Sequence, residues 1–111
     1  MKRIYRVSMT LTAKGWTIRE TPFDVIKETP KTFQLEDMSN DFRDKRNLKK
    51  EKLGVVATNL LSKHDYYQYY CWCKEEDIAY SKERVKGTII SKFQQVWREV
   101  NLISKQFADE F

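Results

Sequence analysis

The sequence predicts an α+β fold: a curved antiparallel sheet of four to six strands with one long C-terminal helix packed on one face, the alternative being a small open β-barrel with the helix appended. Three observations predict it. Apolar and polar residues alternate in the N-terminal segments, as in strands with one buried face. The run Tyr66-Tyr67-Gln68-Tyr69-Tyr70-Cys71-Trp72-Cys73 has the aromatic content that suits a pleated surface. Beyond Ile78, apolar residues recur at helical spacing. With 111 residues the chain has the length of a single domain, residues 1 to 111.

Taken in order, Tyr5, Val7, Met9 and Leu11 alternate with Ile4, Arg6, Ser8 and Thr10, which predicts a strand buried on its Tyr-Val-Met-Leu side. Thr12-Ala13-Lys14-Gly15 has the length and the glycine of a hairpin loop, and Trp16-Thr17-Ile18-Arg19 resumes the alternation. Pro22 lacks a backbone donor and is expected at an edge, bulge or bend, dividing this strand from Phe23-Asp24-Val25-Ile26-Lys27-Glu28. Thr29-Pro30-Lys31 turns the chain into Thr32-Phe33-Gln34-Leu35-Glu36. Residues 37 to 47 are polar and rich in turn formers, so a long loop is expected there. Segment 48 to 65 is read only in fragments: Leu53-Gly54-Val55-Val56 fits a short strand leaving a glycine bulge, and Thr58-Asn59 fits the cap of one helical turn.

The aromatic strand ends in Glu75-Glu76-Asp77, acids that favour the positive end of a helix dipole. Behind them Ile78, Val85, Ile89, Phe93, Val96, Val100, Ile103 and Phe107 form one stripe, flanked by a second row, Ile90 and Trp97. A straight helix from 76 to 106 is ~45 Å long, whereas a compact chain of this size is only ~35 Å across. Either the helix breaks, naturally at Gly87, or its end overhangs and Ile103, Phe107 and Phe111 need a partner.

Charge is unevenly spread. Residues 1 to 60 hold 13 Lys or Arg against 8 Asp or Glu, the whole of the net +5, while residues 61 to 111 balance at 8 against 8. The density peaks at Arg43, Lys45, Arg46, Lys49, Lys50 and Lys52, a run that attracts phosphate or an acidic protein surface, or simply solvates a loop. No stretch approaches the ~18 consecutive apolar residues of a membrane span, and the first residues lack the apolar run of a signal peptide. A cytoplasmic setting is therefore expected, and with it reduced thiols.

Little in the chain invites catalysis. Cys71, Cys73 and His64 are its only soft metal ligands, a CxC pair with one histidine, which leaves a zinc shell incomplete. The two cysteines are expected as small buried side chains. The acids read as helix-dipole compensation and loop solubility, and with three glycines there is no phosphate loop, GxGxxG, GxSxG or HExxH. No enzyme, cofactor or metal is expected.

The layout "MKRIYRVSM…WTIRE…VIKETPKTFQL", a basic loop, then "YYCWCKEEDI" opening a long helix resembles small uncharacterised accessory proteins of phages and mobile elements of Gram-positive bacteria. That resemblance implies a stoichiometric modulator of a host protein. The residues themselves offer three binding surfaces for a non-enzymatic module. Tyr66, Tyr70 and Trp72 on one strand face, with Tyr67 and Tyr69 on the other, can anchor a protein or stack bases. The basic run suits a sequence-tolerant nucleic-acid binder, and the helix end suits a host protein or a homo-oligomer.

Overall fold

A computed structural model describes residues 2–12, 14–37, 45–61 and 66–110. Strands β1 (Arg3–Thr12), β2 (Gly15–Glu28), β3 (Thr32–Asp37) and β4 (Lys45–Lys49) run as a meander, and β5 (Val56–Leu61) and β6 (Tyr66–Lys74) complete one antiparallel sheet of order β4-β3-β2-β1-β6-β5. A 3-10 turn at Glu75–Asp77 leads into a single helix, α1 (Ile78–Glu110). The sheet curls into a half-barrel, and the helix crosses its outer face over β1 and β6.

The curl follows from what must be buried. Leu48 of β4 and Trp72 of β6 have three strands between them in hydrogen-bonding order, yet they share one apolar cluster with Ile4, Phe23, Phe33 and Leu35 and line one groove. A flat sheet holds such residues apart; only an inward bend brings them together. The second cluster lies on the outer face, where Met9, Tyr69 and Cys71 meet Val85 and Ile89 of α1. Strand β1 is thus buried on both sides: Val7 and Met9 lie under the helix, and Ile4, on the side the alternation marks as polar, is wholly enclosed by the curl.

Several local expectations change in the structure. Pro22 does not divide its strand; it pairs with Tyr5 inside an unbroken β2. Among the described residues β3 pairs with β2 only from Phe23 onward, so no described ladder bond is lost at the Pro22 nitrogen. The irregularity falls instead between Val25 and Lys27, where Ile26 is the extra residue. The expected loop 37 to 47 is shorter, because Asp37 ends β3 and Lys45 begins β4; residues 38–44 lie outside the described ones. Thr58 and Asn59 belong to β5 rather than capping a helical turn. Gly15, at φ 107°, turns the first hairpin, and Gly54, at φ 76°, turns the chain into β5.

The helix does not break at Gly87. It overhangs. The molecule measures 64 × 27 × 21 Å, with a radius of gyration of 17.9 Å, against about 13 Å for a compact chain of this length. The first turns of α1 are fixed from three directions: Val85 and Ile89 enter the outer core, Lys82 pairs with Glu20 of β2, and Arg84 donates to the Gly54 carbonyl.

Gly87 lies exposed, and a Cβ added there meets nothing within 4 Å. Gly87→Ala is therefore expected to stabilise the protein by about 1 kcal/mol, raising the melting temperature by roughly 4 °C in a thermal unfolding scan.

Candidate functional site

From Tyr69 to Trp72 the aromatic strand belongs to the core or packs against it. Trp72 is only 8% exposed and stands edge-on to Phe23, with ring centroids 4.9 Å apart, while Tyr69, also 8% exposed, is buried beneath α1. Tyr70 packs half-buried against the inner cluster. The curl covers β6 at Trp72 and the helix covers it at Tyr69, while half-buried Tyr70 lines a groove with Leu48, Lys52 and Trp72. The side chains of Tyr66 and Tyr67, and His64 altogether, lie outside the described residues. Cys71 and Cys73 are buried free thiols on the helix side. Burial pushes the Cys73 thiol above its usual range, partly offset by its hydrogen bond with Ser81 of α1.

The basic run divides between faces. Arg43 lies outside the described residues. Strand alternation turns Arg46 to the inner side with Leu48, and Lys45 and Lys49 to the other. Lys50 and Lys52 follow in a 3-10 turn, where Lys50 pairs with Glu28 at 3.3 Å and stands 4.9 Å from the Phe33 ring centroid. A hydrogen bond from Lys2 and a weaker one from Lys50 hold the Glu28 carboxylate below its usual range. The inner end of the curl carries a further arginine. Arg6, paired across the sheet with Thr21 and Trp72, lies 5.7 Å from the ring centroids of Phe23 and Trp72. Its Nε and the Thr21 hydroxyl are buried without a hydrogen-bond partner among the described residues. Burial, reinforced by Arg46, lowers its pKa.

A large open apolar surface lies elsewhere. From Ile90 to Gln106 every residue of α1 is exposed. The stripe that enters the core at Val85 and Ile89 nevertheless continues through Phe93, Val96, Val100 and Ile103, the last 52% exposed, and Trp97 beside it is 66% exposed. The positions of Phe107 and Phe111 continue the pattern in the sequence, but their side chains lie outside the described residues. Where the overhang leaves the sheet, Met9, Trp16 and Ile18 face Ile89, Ile90, Phe93 and Trp97 across a groove of about 570 Å³. Trp16 closes its floor, edge-on to both Phe93 and Tyr69, with ring centroids 6.0 and 6.2 Å apart.

Trp16 and Ile18 are the residues that strand alternation passes over: it places them opposite Thr17 and Arg19 but does not show that their side faces the helix. A second signal is present in the spacing itself. From Ile89 the apolar steps are four, three, four, three and four, the 3.5-residue repeat of a helix seam that winds around another helix. Among the described residues no helix is long and apolar enough to cross a membrane, so the exposed stripe is not a membrane span. Compared with protein families, curated proteins and solved structures, the chain finds no match.

Because its folded pKa is raised, Cys73 contributes stability that is present below its unfolded value of about 8.5 and is lost as pH rises beyond it. At mildly alkaline pH a disulfide reagent should leave both thiols of the native protein unmodified and titrate two once the chain is unfolded. Prompt native-state reaction of either thiol contradicts this packing.

Proposed function

We propose that this chain is a protein-binding module whose docking surface is the overhanging half of α1 with the adjoining groove, and that what docks there is another helix with an apolar seam. One observation carries this reading: the apolar stripe that builds the core over the sheet persists where every residue is exposed. Fully burying a Val, Ile or Phe side chain is worth about 1.5–3 kcal/mol, and water gives none of it. Isolated helices of fewer than ~12–15 residues are marginal even with the best helix formers, and the overhang contains three β-branched seam residues, Val96, Val100 and Ile103. A surface of this kind is maintained by what covers it.

Groove and seam favour a helix over an extended peptide. The apolar side chains lie along one axis at a 3.5-residue repeat, which interdigitates with knobs at the same repeat.

The reading is tested by a photo-crosslinking benzoylphenylalanine placed at Val100, on the seam, and separately at Arg98, on the far side. Each full-length protein is irradiated both purified and in lysate. Adducts specific to position 100, mapped by mass spectrometry to a helix with an apolar stripe, are expected. Equal labelling from both positions, or none from position 100 in either setting, overturns the proposal.

A further inference from the structure

We infer that the polar part of the concave sheet face is a binding site for a terminal phosphate group, with Arg6 and Thr21 at its floor and Arg46 and Arg19 at its rim. The site lies on the side of the sheet turned away from α1, so it can be filled whatever covers the helix.

The floor is built by register. Strand alternation puts Ile4, Arg6 and Ser8 of β1 on the concave face, with their β2 partners Phe23, Thr21 and Arg19 beside them. Ile4 and Phe23 belong to the inner apolar cluster, and one step further along the same face turns polar. Thr21 is only 6% exposed, yet its hydroxyl has no hydrogen-bond partner among the described residues, and neither has the buried Nε of Arg6 across the ladder. Two adjacent buried donors left unmet are costly to a fold, and a ligand oxygen between them meets both. The rings of Phe23 and Trp72, each with its centroid 5.7 Å from the guanidinium, hold Arg6 in position but supply no oxygen.

Charge points to the ligand. Among the described residues the ionised groups that act on Arg6 are Arg46, Asp37 and Arg19, the two arginines opposing its charge and Asp37 favouring it. Arg46 comes to this face from β4, opposite Leu35, and Asp37 stands opposite Phe23. Arg19 and Arg46 are exposed, so the cluster opens to solvent above the buried floor. Three guanidiniums against one carboxylate leave two positive charges, which match a phosphate monoester, about −1.5 to −2 at neutral pH, better than a singly charged carboxylate or phosphodiester. Guanidinium forks also fit phosphate oxygens with paired hydrogen bonds. A phosphodiester inside a polymer has no free end to pass the rim and reach Thr21. The organic part of the ligand has its own place. Trp72 is the β6 partner of Arg6, and Leu48 lies two residues from Arg46; together with Tyr70, Val55, Ala57 and Lys52 they line a groove of about 240 Å³.

Titration calorimetry of the full-length protein, at constant ionic strength with chloride as the balancing anion, tests the site. Inorganic phosphate is expected to bind saturably at one site per chain, phenyl phosphate about tenfold more tightly because its ring enters the groove, and phenol not at all. Arg6→Met and Thr21→Val each remove an unmet donor, so each should raise the melting temperature in phosphate-free buffer. Arg6→Met should weaken phosphate binding about tenfold or more and Thr21→Val about fivefold, while Lys92→Gln on α1, equal to Arg6→Met in charge lost, stays within about twofold. Circular dichroism verifies that each variant is folded. Heat that does not saturate with either phosphate, or an affinity unchanged in both Arg6→Met and Thr21→Val, overturns the site. An oligonucleotide ending in a 5′-hydroxyl that binds as tightly as its 5′-phosphorylated form overturns the terminal phosphate and assigns the arginines to a nucleic-acid backbone.

Discussion

The pair β1–β6, covered on both faces where the helix crosses it, is the constraint on which the rest of the structure depends. Val7 and Cys71 are register partners, both wholly buried, and the helix residue above them, Val85, is wholly buried too. Small side chains line this contact: Val7, Cys71 and Cys73 on the sheet, Ser81 and Val85 on α1. They let the helix approach closely enough to exclude water, whereas larger residues hold it away and open voids. On the reverse side Ile4 and Trp72 are closed in by the curl. At these residues the strand pair has no free face, and the direction of β6 into Glu75–Asp77 sets the line along which the helix must run.

The inner core closes at a cost that remains visible at Arg6. Curling the sheet far enough to bring Leu48 to Trp72 also brings a guanidinium under cover, and the faces of Phe23 and Trp72 supply part of the attraction that water would otherwise give. Arg84 joins this closure to the helix. It donates to the Gly54 carbonyl, while the Gly54 amide donates to the Trp72 carbonyl at 2.8 Å. The turn before β5, the inner core and the first half of α1 are thereby tied together.

Much of this was legible in the sequence. The α+β class, the first hairpin, the aromatic strand, its acidic lead into the helix and the choice between break and overhang all follow from period and composition. What period two cannot show is a strand buried on both faces: Ile4 reads as the polar side because its neighbours Arg6, Ser8 and Thr10 are polar, yet the curl encloses it. For the same reason Trp72 and Tyr69 read as exposable aromatics when each has its own cover. Pro22 misled because its penalty depends on whether a partner strand stands beside it, and pairing is not local information. Lys45 to Lys49 resembled a loop because charge outweighed the single buried residue, Leu48, that anchors β4. The site was legible only in part. Ile103 and the stripe were visible, but Trp16 and Ile18 join it through a tertiary contact between a hairpin and a helix far apart in sequence.

The change of spacing along the stripe falls where the sheet ends. Over β1 and β6 the buried helix residues are Ser81, Val85 and Ile89, four apart, and the next member, Phe93, is the last to touch the sheet side, through Trp16. Beyond Phe93 the steps alternate three and four. A four-residue step advances the stripe by about 40° around a straight helix, which follows the twist of a sheet beneath it; a seven-residue repeat lags by about 20° per heptad and winds left-handedly around a second helix. The stripe therefore leaves its own strands at Phe93. Gly87 lies just before that point and leaves the helix unbroken, so one continuous helix carries the stripe from the sheet into the overhang.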